Sequence, residues 1–228
     1  MGVNAATAGN GSKKTYELLE PGGYPARLVQ VIDLGLQNQR PYMGQEKAPM
    51  QEIMLTYEFA DEFIKDEDGQ DMKDKPRWLS ETMPLNNINA DKANSTKRYK
   101  VLDPKLEFGG DFGKLLGRAC NVTVVINPNK KDPTHPGYNN ISGISAMRDK
   151  DIAKLPPMIN KPIVFDLDEP DIEVFLSFPK YVQDKIKSNL TFNGSKLQKL
   201  LGESTSSNTP TKQSTDTDDT DVDEDAPY

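Results

Sequence analysis

The chain has 228 residues, 28 basic and 35 acidic, with one Cys, one His, a net charge of -7 and a mean hydropathy of -0.69. That length suffices for one large or two small domains with a real core, while an apolar content of 35% leaves part of the chain too polar to pack. A single Cys excludes a disulfide framework, one Cys and one His cannot build a zinc cluster, and no run nears the roughly 18 apolar residues of a membrane span.

Residues 1–14 are small and polar, without the apolar stretch of a signal peptide, and are expected to be a disordered arm. YPARLVQVIDLG (residues 24–35), preceded by PGG, reads as a first strand. LQNQRPYMGQEK then forms an interstrand loop carrying Arg40, Tyr42 and Lys47. QEIMLTYEFADEF (51–63) alternates: Ile53, Leu55, Tyr57 and Phe59 share one face, opposite Glu52, Thr56 and Glu58. DEDGQDMKDK is a charged turn with Asp-Gly at its centre. RWLSETMPL (77–85) is a third strand that opens with Arg77 and Trp78. Trp78 falls in phase with Ser80 and Thr82; it is either core or an aromatic platform on an open face.

NADKANSTKRYKVL is weakly helical and brings Lys97, Arg98, Tyr99 and Lys100 together. GGDFGKLLGRA predicts a short helix capped by Asp111, with Phe112, Leu115 and Leu116 buried. CNVTVVINP (120–128) is a fourth strand. The loop NPNKKDPTHPGY adds Lys130, Lys131, His135 and Tyr138, and GYNNISGISAM (137–147) is a fifth strand. Three strands, a helix and two strands is the order of a five-stranded OB-fold barrel. The expected fold is therefore mainly β: an OB-fold domain over 15–150 with one short helix, an α/β extension over 151–202, and disordered termini. PIVFDLDE is a candidate sixth strand of that extension. A Pro-initiated helix from Pro179 sets Tyr181, Val182, Lys185 and Ile186 near one stripe, to pack on the barrel or on a partner copy as a homodimer.

Residues 203–228 form a Ser/Thr linker and an acidic block, expected to be a disordered tail. They hold eight acids against Lys212, a net -7, which leaves the other 202 residues balanced at 27 basic and 27 acidic. Charge gathered into one block marks an interaction tail rather than a property of the fold.

Catalysis finds no support. No Ser/His/Asp set has motif context, His135 sits between prolines in a loop, and Cys120 opens an apolar strand. DEDGQD lacks the distal Glu of a calcium loop, and Lys114 is not in the GK[ST] ending of a phosphate loop. No enzyme activity, cofactor or metal is expected. Binding remains: a single-strand binder needs cations for phosphates and rings on which bases stack. The candidates are Arg40, Tyr42, Lys47, Arg77, Trp78, Lys97, Arg98, Tyr99, Lys100, Lys130, Lys131 and Tyr138.

With PGGYPARLVQVIDLG, RWLSETMPL and FGGDFGKLLGRACNVTVVI, the OB order and the acidic tail, the chain resembles the single-stranded DNA-binding proteins of tailed bacteriophages and bacteria, the phage branch in particular. The resemblance implies a non-enzymatic protein of the host-cell cytoplasm that coats single-stranded DNA in replication, recombination or repair. It also implies a tail that competes with DNA and recruits replication or recombination proteins through Asp221, Asp223, Glu224, Asp225 and Tyr228. The family tail usually ends in Phe, whereas this one ends in Ala-Pro-Tyr. A tethered tail reaches roughly millimolar effective concentration at its own body, enough to screen weak ligands from a cationic groove. The alternative is a phage structural or interaction scaffold built on an OB-like barrel.

Overall fold

A computed structural model describes residues 17–203. The expected arm at 1–14, the acidic block and its residues Asp221, Asp223, Glu224, Asp225 and Tyr228 lie outside them. Five strands follow one another as β1 (Gly22–Tyr42), β2 (Gln45–Lys65), β3 (Asp71–Pro84), β4 (Ala119–Asn127) and β5 (Tyr138–Ala146), and a short β6 (Ile163–Phe165) comes later. The spatial order is β3-β2-β1-β4-β5, every neighbour antiparallel, while β6 joins β1 in parallel at Gln30–Ile32. The sheet curls until β3 and β5 approach each other. Among the described residues no ladder joins those two, so the sheet is mainly antiparallel and open.

β1 and β2 exceed the expected strands at both ends, because the residues read as a loop between them belong to both strands. Along its packed stretch β1 carries two of its four register shifts against β2, between Leu28 and Gln30 and between Asp33 and Gly35. Each extra residue turns the following side chains to the other face. Leu28 and Val31 thus point inward, while Ile32 and Leu34 point outward.

The inner face encloses one core: Leu28, Val31, Ile53, Leu55, Tyr57, Phe59, Met83, Val122 and Val124. α1 (Asn94–Leu102) seals it with Tyr99 and Leu102, and a 3-10 turn (Phe112–Leu115) with Phe112 and Leu115. Asp111 caps that turn as expected, accepting from the Gly113 amide at 2.9 Å, although Leu116 stays half-buried. Cys120 lies wholly within this core, and burial pushes its thiol up to about 12.

The outer face is covered as well. After α2 (Asp149–Ile152) come β6 and then α3 (Ile172–Ser177), α4 (Lys180–Lys187) and α5 (Lys196–Leu200). Phe165, Phe175, Phe178, Val182, Ile186, Phe192 and Leu197 close over Ile32, Leu34 and Met54. The extension therefore packs on its own sheet. α4 follows Pro179 as the sequence predicts. α3 and α5 begin at caps the sequence reading missed: Asp171 accepts from the Glu173 and Val174 amides, and Ser195 from the Gln198 amide. Gly35, at φ 79°, leaves room that only glycine leaves, since a Cβ there would lie 2.6 Å from Asn189 Cγ. Among the described residues no helix is long and apolar enough to cross a membrane.

Candidate functional site

Past Gly35 the β1–β2 ladder runs beyond the core as a two-stranded arm, residues 37–50, exposed over nearly its whole length. Tyr42 pairs with Gln45 across a two-residue turn in which Met43 (φ 51°) and Gly44 (φ 77°) are both left-handed, as a type I′ turn requires. Tyr42 is 60% and Met43 84% exposed. The Lys47 ammonium sits 4.9 Å from the centre of the Tyr42 ring, a cation–π contact that holds ring and charge together. Arg40 is exposed on the same arm. Pro41 and Pro49 interrupt its strands, removing amide donors and stiffening the backbone.

The extension braces the root of this arm. Gln37 Nε2 donates to the Leu34 carbonyl at 2.7 Å and the Lys185 carbonyl at 2.9 Å. The Lys185 ammonium pairs with Glu52 at 3.0 Å, and Gln39 Nε2 donates to the same carboxylate at 2.9 Å. The Leu190 amide donates to the Leu36 carbonyl at 2.8 Å.

Trp78 is half-buried on the outer face of β3, paired in register with Glu58. The open face expected around it is partly occupied: the Glu58 carboxylate accepts from the Ile159 amide at 2.7 Å, the Asn160 amide at 3.0 Å and Asn160 Nδ2 at 2.7 Å. Arg77 points to the opposite face, where its charge acts on Glu17 and Glu62. The two neighbours in sequence do not share a site.

α1 corrects two expectations. Arg98 turns inward and grips Glu81 with two bonds, Nε to Oε1 at 2.8 Å and Nη2 to Oε2 at 2.9 Å. Tyr57 donates to the same carboxylate at 3.0 Å, and burial first, then that anion, hold the Tyr57 hydroxyl well above its ordinary pKa. Tyr99 is wholly buried; its hydroxyl donates to Asp103 at 3.1 Å and accepts from the Gly110 amide at 2.8 Å. Neither side chain can meet a ligand. Lys97 and Lys100 remain on the surface, Lys100 paired with Asp91.

The β4–β5 loop is bound to itself. His135 stacks on Tyr138 with ring centres 4.6 Å apart, and Asn129 Nδ2 donates to the Tyr138 hydroxyl at 2.9 Å. Lys130 and Lys131 are exposed beside them. Val124, near the end of β4, pairs with Gly22 at the start of β1. This loop and the arm tip therefore leave opposite ends of β1.

No protein family, curated protein or solved structure matches the chain.

The chemistry of the site is accordingly that of its own side chains. Among the described residues no three His, Cys, Asp or Glu side chains gather as metal ligands do. A cleft of about 260 Å³ beside α1 is lined by Asn86, Asn87, Ile88, Thr96 and Phe112. Its polar groups already serve each other, Ser95 Oγ accepting from the Asn86 amide at 3.0 Å and Thr96 Oγ1 donating to the Asn87 carbonyl at 3.1 Å. The arm is the place where an aromatic ring, apolar surface and cations are exposed together. Sequence reasoning named Arg40, Tyr42 and Lys47 but missed Met43 and the arm itself. The signal was Met43-Gly44, a turn pair set between Pro41 and Pro49 in Arg-Pro-Tyr-Met-Gly-Gln-Glu-Lys-Ala-Pro.

Proposed function

We propose that the chain is a non-enzymatic single-stranded DNA-binding protein that coats single strands with little sequence preference in phage DNA replication, recombination or repair. Its sheet is then an OB barrel: the order β3-β2-β1-β4-β5, a helix between β3 and β4, and the approach of β3 to β5 all support that reading. The observation that carries the function is the braced arm, with Tyr42 and Lys47 in contact and Arg40 beside them. Rings stack on bases of any kind, and cations release counterions from phosphates. Trp78 offers a second, partly covered ring, and Lys130 and Lys131 a second cationic site. The acidic tail competes with DNA for these groups and, once displaced, presents carboxylates and the Tyr228 ring to a partner protein.

Titration with poly(dT), followed by Trp78 fluorescence and anisotropy, tests this reading. Binding should weaken linearly in log affinity with log salt. Tyr42→Ala should cost about 1–3 kcal/mol, the worth of one stacked base, and removing residues 203–228 should tighten binding. A tail-less protein with no affinity for poly(dT) at low salt refutes the proposal and leaves the scaffold reading.

A further inference from the structure

The arm ends in an apolar point rather than a polar turn, and we infer that this point is a wedge: Met43 enters between stacked bases and parts them, so the protein opens duplex ends as well as covering strands already single. The inference rests on the nucleic-acid reading above.

Four observations carry it. Met43 is 84% exposed with Tyr42 beside it at 60%, so the arm projects an unbranched thioether and a flat ring at its farthest reach. Apolar side chains of this kind unstack base steps when they are held against them. The backbone is the second observation. Among the described residues only Met43 and Leu106 hold a positive φ without being glycine. Asn or Gly would take that turn position at less steric cost, so the turn carries Met in spite of its backbone preference.

The third observation is stiffness, because a wedge must not fold back under load. Pro41 and Pro49 restrict the strands. The root is tied to the extension through Gln37 to the Lys185 carbonyl, Lys185 to Glu52 and the Leu190 amide to Leu36. Asn189 is seated against Gly35, where the arm leaves the core. The fourth is charge: Arg40 and Lys47 flank the tip and outnumber Glu46, the arm's one acid. They give the two phosphate backbones that the wedge separates a cation on each strand of the ribbon. On this reading the extension over 151–202 is the abutment of the arm.

The test uses the full chain and a duplex carrying 2-aminopurine one base pair from a blunt end. The wild type and Met43→Leu should raise 2-aminopurine fluorescence as the end unstacks. Met43→Asn suits the left-handed turn better than Met and so keeps the arm folded. It should slow opening fivefold or more while holding poly(dT) affinity within twofold. Opening by Met43→Asn at the wild-type rate overturns the wedge and leaves single-strand binding standing. An equal loss of opening and of poly(dT) affinity overturns it too, since Met43 is then an ordinary binding contact. No poly(dT) affinity in any variant sinks both the wedge and the reading beneath it. Met43-dependent binding to anionic phosphatidylserine vesicles, with no effect on DNA, moves the tip to a lipid surface and overturns the wedge.

Discussion

The inner face of β2 carries Ile53, Leu55, Tyr57 and Phe59; its outer face carries Glu52, Met54, Thr56 and Glu58, and all eight are buried. One face is made of the residues expected in a core. The other is polar at three of its four positions, and each of these polar groups is met by a named partner: Glu52 by Lys185 and Gln39, Thr56 by Gln30 and Ser80, Glu58 by the backbone at Ile159 and Asn160. Apolar burial is tolerant of small shifts, whereas a buried hydrogen-bond network fixes position. The inner face holds the curled sheet around its core, and the outer face holds the extension in one place on it.

The contrast sharpens at two carboxylates, the largely buried Glu81 and the buried Glu58. Glu81, on the inner side, is neutralised by a cation; Glu58, on the outer side, is met only by neutral donors. Arg98→Ala should give the largest loss, about 3–5 kcal/mol, because it strands Glu81 without its counter-ion; urea unfolding measures it. A joint Glu81→Leu, Arg98→Met variant should recover most of that loss, since an apolar pair leaves no unpaired charge. Glu58→Gln should cost less, about 1–3 kcal/mol, because one oxygen still accepts while the charge-assisted bonds weaken. Hydrogen exchange should quicken at Phe175 and Ile186 in that variant and stay slow at Leu55. Equal quickening on both sides would mean that the two faces open as one unit.

Asp33 gives the smallest effect. Burial raises its pKa above the ordinary carboxylate value, and nearby Asp166 adds to the rise against the bonds from Gly35, Gln51 and Leu167. The folded chain thus binds that proton more tightly than the unfolded chain does. Wild-type stability falls as pH rises through the window between the two values, and the loss is complete above the folded one. Asp33→Asn should gain on the wild type as pH climbs through that window, by thermal melts at matched salt; a gap that stays flat with pH contradicts the burial of this carboxylate.

The sequence discloses the inner face readily, because Ile53, Leu55, Tyr57 and Phe59 repeat with the period of a strand. Fourth and fifth strands are as legible, and so is the Asp111 cap. The outer face is not: Thr56 and Glu58 look like solvent-facing residues, yet Thr56 bonds Gln30 and Ser80 on the neighbouring strands and Glu58 meets the distant segment at 159–160. The arm is hidden for the opposite reason. Past Gln37 its residues are mostly polar or proline and bury little, so no alternation marks them as strand. Arg98 and Tyr99 read as a cationic surface because one turn of helix gives both an outward and an inward direction. That both point inward depends on their partners, Glu81 on a separate strand for Arg98 and Asp103 just past the helix for Tyr99.

Cys120 has a practical consequence. A lone thiol sunk in the inner core, with its ionisation displaced to about 12, is inert to alkylating reagents while the core stays packed. Its labelling rate in native buffer is therefore a clock for how often the inner core opens to water, readable from an unmodified chain with no added probe.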